Sequence, residues 1–291
     1  MSSRAGTRRF LLVTIAVIAT LVVPAASSGA AVDQEGNFSL GGRPCNLIGV
    51  PAALPVGVVG CEGVRPGGAI FTETGLCTFN FMFRGSDGAR YMGTAGHCAI
   101  LDATTGSLPG FVPEEEHVYA PGSRPVAMDG KGNRIGEFAY AILSQSQEMD
   151  FALIRLDSDV EASPQMCHFG GPVGINTDTP ALTEPVVLHQ YGHGIALGSV
   201  LPARSLVALG MPSQYHVFAL GAVLPGDSGS GVTSADGRAV GVAVTTGLHT
   251  GSLGASGIDT GLAGITRLTP QLARAEQMLA TDLELVTAPL L

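Results

Sequence analysis

Three short stretches of this chain combine residue types that can do chemistry together. Residues 94–98 read TAGHC, 149–156 read MDFALIRL and 226–231 read GDSGSG. Serine is a poor nucleophile until a base removes its proton, and the base must be held in one tautomer by an acceptor. His97, Asp150 and Ser228 supply a base, a carboxylate and a nucleophile for acyl transfer. The glycines around Ser228 admit two explanations. They make either an ordinary surface turn or a backbone that must approach a substrate where side chains would obstruct it.

The surrounding pattern decides what could hold these residues. CTFNFMFR, from Cys77, alternates Phe79, Phe81 and Phe83 on one face with Thr78, Asn80, Met82 and Arg84 on the other, which predicts a half-buried strand. Ser86-Asp87-Gly88 is a turn, and ARYMGTAG returns as a second strand that delivers His97 at its end. MDGKGNRIGEFAYAIL, DFALIRLD and GVTSADGRAVGVAVTTG repeat the same grammar, with Asp236-Gly237 as a hairpin signal. Short strands at this spacing predict a sandwich or barrel. Only the final segment reads as a helix, with Thr269 as cap, Pro270 in the first turn, and Leu272, Ala275, Leu279 and Leu283 on one side.

TAGHC, the Asp of MDFALIRL and GDSGSG, in that order, resemble the three motifs of the chymotrypsin-like serine peptidases of secreted bacterial type. The resemblance spans roughly residues 70 to 280. It implies an all-β fold of two antiparallel six-stranded barrels with a short C-terminal helix, a domain over 71–291 and a crossover between barrels near 166–185. It makes His97 the general base, Asp150 its orienting partner and Ser228 the nucleophile, with the backbone N–H groups of Gly226 and Ser228 as the oxyanion hole. It implies a disulfide between Cys77 and Cys98, and a tether from Cys167 to Cys61 or Cys45. It also puts Ala222, six residues before the nucleophile, at the base of the specificity pocket. No carboxylate occurs between Leu209 and Pro225, so an uncharged, apolar substrate side chain is expected there.

The chain departs from the family in three places. No I-V-G-G-like start precedes Cys77, so Asp227 needs a partner other than a freed N-terminus, and the sequence does not identify it. GDSGSG stands where the family has GDSGGP. No cysteine flanks Ser228.

Composition bounds the rest. The 291 residues carry 41 glycines, 18 prolines and a formal charge of −9, which includes Arg4, Arg8 and Arg9 near the start. A basic head, the 14 apolar residues FLLVTIAVIATLVV and the small-residue run PAASSGAA predict a signal peptide over 1–30, cleaved after Ala30, because 14 residues fall short of a membrane span. Arg8-Arg9 also fits the twin-arginine route. Residues 31–70 then read as a pro-segment or N-terminal arm. The mature chain is more acidic still, which argues against nucleic acid or an anionic membrane as partner. A secreted, extracellular monomer acting on protein or peptide is expected, with no cofactor.

Other features are weaker. His189 and His193 in HQYGHG have a metal-binding spacing, but Gly192 and Gly194 break any helix, the five cysteines form no CxxC, and no metal is assigned. GHGIALG misses the dinucleotide-binding spacing, and Asn37-Phe38-Ser39 is a glycosylation sequon inside the arm. An enzyme is the first reading. A non-catalytic binding or adhesion protein on the same fold is the alternative, because fold alone does not fix function. An α/β-hydrolase is disfavoured, because GDSGS is not G-x-S-x-G and no helices alternate with the strands.

Overall fold

The computed structural model describes residues 31–32, 38–40, 43–45, 63–100, 114–123, 125–144, 146–177, 186–194, 202–244 and 262–290. The signal segment and most of the arm, with Cys61, lie outside them. Three short strands, β1 (Ala31–Val32), β2 (Phe38–Leu40) and β3 (Arg43–Cys45), pair with one another.

The next unit is built from β4 (Ala69–Thr72), β5 (Gly75–Thr78), β6 (Met82–Gly85), β7 (Arg90–Thr94), the one-turn helix α1 (His97–Ile100), β8 (Glu115–Val118), β9 (Val126–Asp129), β10 (Arg134–Ser144) and β11 (Met149–Leu156). β4 pairs with β5 and β9, β9 with β10, β10 with β11, β11 with β7, and β7 with β6. Because β5 runs through Phe79–Phe81 straight into β6, the two are halves of one bent strand, and the ring of six strands closes through the chain itself. At the bend, Asn80 Oδ1 accepts the Phe81 N–H at 2.6 Å, so a side chain takes the place of a ladder partner. β8 adds to β10 outside the ring. Ala69 and Ile70, at the end of the expected arm, belong to this barrel's β4, and Ile70 is fully buried.

After a connection that begins at Asp157, the second unit comprises β12 (Gly174–Ile175), β13 (Val186–Tyr191), β14 (Ala203–Ser213), β15 (His216–Leu220), β16 (Gly231–Ser234), β17 (Arg238–Ala243) and β18 (Leu262–Arg267). The order β17-β16-β13-β14-β15-β18 closes on itself through β17–β18, giving a second six-stranded antiparallel barrel with β12 added parallel to β17. Its own apolar cluster includes Leu188, Leu206, Val217, Val232 and Ile265.

Helix α2 (Leu268–Leu279) follows, burying Leu268, Leu272 and Ala275 in the cluster shared with the first barrel. The predicted cap is corrected here: Arg267, extended at φ −65° and ψ 133°, is the N-cap, and Thr269 lies within the first turn. Leu283 is also outside the helix. Ala280 adopts a left-handed conformation that ends it, and Leu283–Leu285 forms β19, antiparallel to β6. The chain then crosses back, with the Val286 N–H donating to Met82 O and the Ala288 N–H to Pro172 O.

The strand read as half-buried is buried on both sides from Thr78 to Phe83, with Arg84 of the opposite face exposed. Phe79, Phe81 and Phe83 fill the first barrel as the alternation predicts, but Thr78 and Asn80 on the opposite face are also wholly buried. The loop bearing Ser228 covers Thr78, while the Asn80 side chain lies against Gly93. A disulfide joins Cys77 on β5 to Cys98 in α1. Closing a loop of this size constrains the unfolded chain by about 3 kcal/mol. Replacing both cysteines by alanine is therefore expected to lower the unfolding free energy by about that amount in urea titrations, with the folded state's circular dichroism unchanged.

Candidate active site

His97 and Asp150 come together on the first barrel. β7 ends at Thr94 and α1 begins at His97, while Asp150 opens β11, which pairs with β7. Asp150 Oδ2 lies 2.7 Å from His97 Nδ1, and Asp150 Oδ1 accepts the His97 backbone N–H at 2.9 Å. Asp150 is 1% exposed. An ionised carboxylate only accepts, so Nδ1 carries the proton and Nε2 is left with a lone pair. Burial opposes the charged imidazole, yet the Asp150 carboxylate outweighs it, and His97 titrates above its ordinary value. The residue before β11 is held from the other side. Glu148, left-handed at φ 55°, accepts the Ser213 hydroxyl with its side chain, and its carbonyl accepts Gln271 Nε2 at 3.5 Å.

Ser228 arrives from the second barrel, in the turn before β16. The disulfide is the common neighbour of the two halves. Cys98 Sγ lies 4.0 Å from Ser228 O, and a ring nitrogen of His97 lies within 4.8 Å of both sulfurs. With both sulfurs bonded to each other, neither is a thiolate that could hold a metal. Among the described residues Ser228 Oγ makes no hydrogen bond to His97. Hydrogen bonds of this kind are commonly long without substrate and tighten when it binds.

The backbone of residues 224–231 is more revealing. The Asp227 N–H donates to Leu224 O, the Gly229 N–H to Ala243 O and the Ser230 N–H to Asp227 O. The N–H groups of Gly226 and Ser228 donate to no acceptor among the described residues. Two donors without an acceptor among the described residues, flanked by three satisfied ones, can cradle a developing negative charge. Gly229 is required for a separate reason. A Cβ there would lie 2.1 Å from Thr94 Oγ1 and 2.5 Å from Thr78 O.

The partner of Asp227, invisible in the sequence, is Arg204 on β14. Its Nη2 donates to Asp227 Oδ1, which also accepts the Gly194 N–H at 2.6 Å, while Oδ2 accepts the Leu224 N–H at 2.8 Å. Asp227 is fully buried and Arg204 is 9% exposed. Burial pushes the Asp227 carboxyl upward, and Arg204 with the two N–H groups pulls the other way. The glycines of HQYGHG now have a reason. A Cβ on Gly192 would stand 2.4 Å from Asp227 Oδ1, and one on Gly194 2.5 Å from Oδ2. His193 between them is buried, with Nε2–H donating to Gly67 O at 2.9 Å, and His189 pairs with Ser205 Oγ at 3.2 Å. Ala222, expected at the base of the specificity pocket, is exposed after β15, beside the wholly buried Val223. Cys167 is disulfide-bonded.

Two closed six-stranded antiparallel barrels, a site at their junction and a helix after the second make the arrangement that the motifs imply. The fold is chymotrypsin-like. No family model and no curated protein matches the sequence. Among solved structures, the chain is similar to a glutamic-acid-specific serine protease (16% identity, 78% of this chain and 100% of that one, TM-score 0.48). It is also similar to Thermobifida fusca protease A (15%, 78% and 100%, 0.49) and to a Cellulomonas bogoriensis chymotrypsin (17%, 77% and 98%, 0.47).

Removing one member of a buried ion pair leaves the other charge uncompensated, at a cost of about 3–5 kcal/mol. Arg204→Met is therefore expected to lose about that much stability, and clearly less when introduced into Asp227→Asn. Equal losses in the two backgrounds, measured by denaturant unfolding, would show that the pair is not the cause.

Proposed function

We propose that this protein is a secreted serine endopeptidase that hydrolyses peptide bonds through an acyl-enzyme. The observation that supports this reading is the combination at the barrel junction: an imidazole held by a buried carboxylate so that Nε2 is left as base and, across the Cys77–Cys98 disulfide, a serine loop with two N–H groups that have no acceptor among the described residues. In this reading His97 Nε2 takes the Ser228 proton as Oγ attacks the substrate carbonyl, and the oxyanion settles on the N–H groups of Gly226 and Ser228. The protonated His97, stabilised by Asp150, returns its proton to the leaving amine. Water then repeats the sequence on the acyl-enzyme.

No helix among the described residues is long and apolar enough to cross a membrane. Export rests on the signal pattern of residues 1–30, and a monomer is proposed. The alternative, a binding protein on the same fold, has no use for a fixed base beside a serine. A fluorophosphonate probe separates the two. Labelling of the secreted chain that disappears in Ser228→Ala supports the enzyme, and an unlabelled wild type refutes it.

Ser228→Ala and His97→Ala are expected to abolish turnover of a peptide substrate with folding intact. Asp150→Asn is expected to lower kcat by about four orders of magnitude, the scale that loss of the correct tautomer carries in such enzymes. The base must be neutral, so activity should fall as pH drops. Because Asp150 raises His97, the midpoint should lie above the ordinary histidine value of about 6.5. A midpoint below that value in kcat/KM profiles would contradict the assignment of the pair.

Specificity follows from Ala222. With no carboxylate from Leu209 to Pro225, a cationic substrate side chain would find no partner there. Cleavage after uncharged, apolar residues is expected in a substrate-library profile, and a profile dominated by Arg or Lys would remove Ala222 from the pocket.

A further inference from the structure

Thr78 belongs to the first barrel, 148 residues away from the loop it touches. It is fully buried at the end of β5. Its backbone N–H donates to Ser228 O at 2.8 Å and its hydroxyl to Gly226 O at 2.7 Å. The hydroxyl's direction is set from behind, because Oγ1 accepts the His193 N–H at 3.2 Å, which leaves its own proton for Gly226 O. The β-branched side chain is restricted to few rotamers. Thr78 O in turn accepts the Thr94 hydroxyl at 3.0 Å, so the residue is held on each side.

These bonds act on peptide planes. The Gly226–Asp227 peptide is pinned at both ends, its oxygen by Thr78 Oγ1 and its N–H by Leu224 O. The Ser228–Gly229 peptide is pinned likewise, its oxygen by the Thr78 N–H and its N–H by Ala243 O. A peptide is planar, so the Asp227–Ser228 unit between two anchored planes has little rotation left, and that unit carries the Ser228 N–H, which has no acceptor among the described residues. Gly226, at φ +99°, has a backbone free to turn if its oxygen is released. We infer that Thr78 is a positioning residue that locks the oxyanion loop of Gly226 and Ser228 from across the barrel junction, an inference that rests on the serine-peptidase reading above.

The test compares Thr78→Val, which keeps shape and N–H but loses the hydroxyl, with Thr78→Ser, which keeps the hydroxyl. Full-length proteins are assayed on a peptidyl p-nitroanilide with Phe before the scissile bond, and rates are normalised to sites titrated by a fluorophosphonate. Misplacing a catalytic group by about 1 Å costs on the order of 100-fold in rate. Thr78→Val is therefore expected to lose between about 10- and 100-fold in kcat with KM within about 2-fold. A peptide boronate, which mimics the tetrahedral intermediate, should weaken by the same factor. Thr78→Ser should stay within about 3-fold of wild type. The acid limb of the pH profile should stay in place in both variants, because His97 and Asp150 are untouched. If Thr78→Val is recovered unfolded, Thr78→Ala carries the same comparison without the bulk. A wild-type kcat in Val, equal losses in Val and Ser, or unfolding of both Val and Ala overturns the inference. Failure of the wild type to react with the fluorophosphonate would instead overturn the peptidase reading itself.

Discussion

The two barrels touch where side chains have no room. At Gly229 a Cβ would stand 2.5 Å from Thr78 O, and at Gly231 another would lie 2.9 Å from the Phe81 ring. This approach of two backbones is the constraint from which the site follows. The face of β5 and its continuation that carries Thr78 and Asn80 is polar yet excluded from water. Its groups must therefore find partners across the junction. Thr78 finds them in the carbonyls of Gly226 and Ser228, so the contact that joins the barrels also sets the shape of the Ser228 loop.

The loop is anchored underneath as well. Asp227, between Gly226 and Ser228 in the chain, accepts Arg204 with the Leu224 and Gly194 N–H groups. Burying such a pair is costly, and the two backbone N–H groups add to what Arg204 supplies to the Asp227 carboxylate. The glycines at 192 and 194 let the β13 end close around it. Thus one side of the loop is tied to the first barrel through neutral hydrogen bonds, and its underside to the second barrel through charge.

Legibility in the sequence divided along physical lines. The chemistry-bearing residues stand in short local motifs, and the barrel strands announce themselves by alternation and turn residues, so TAGHC, MDFALIRL, GDSGSG and the hairpin at Asp236-Gly237 were readable. Arg204 was not, because nothing in ARSLVALG distinguishes a buried partner from a surface arginine, and its contact lies 23 residues away on another element. The only trace was the pair of glycines in HQYGHG, which break a helix as read but serve to admit a carboxylate. Thr78 was misread as solvent-facing because alternation reports which side of a strand faces its own barrel. It says nothing of a second barrel pressed against the other side. The helix boundary slipped at Thr269 and Leu283 because the strand pairing of β18 and β19, not local propensity, sets where the helix begins and ends.

The strand β19 changes what the bent strand exposes to other molecules. Where β5 turns into β6, the chain leaves its partner β4, and the outer edge of β6 would present a row of unpaired N–H and C=O groups beside Phe83. An apolar edge of that kind is a template on which a second chain can add and begin aggregation. Leu283–Leu285 occupies it, and the Val286 N–H on Met82 O extends the cover to the start of β6. The residues after α2 thus act as a selvage on the first barrel, keeping a strand continuous with the one that bears Thr78 from recruiting copies of itself along its outer edge.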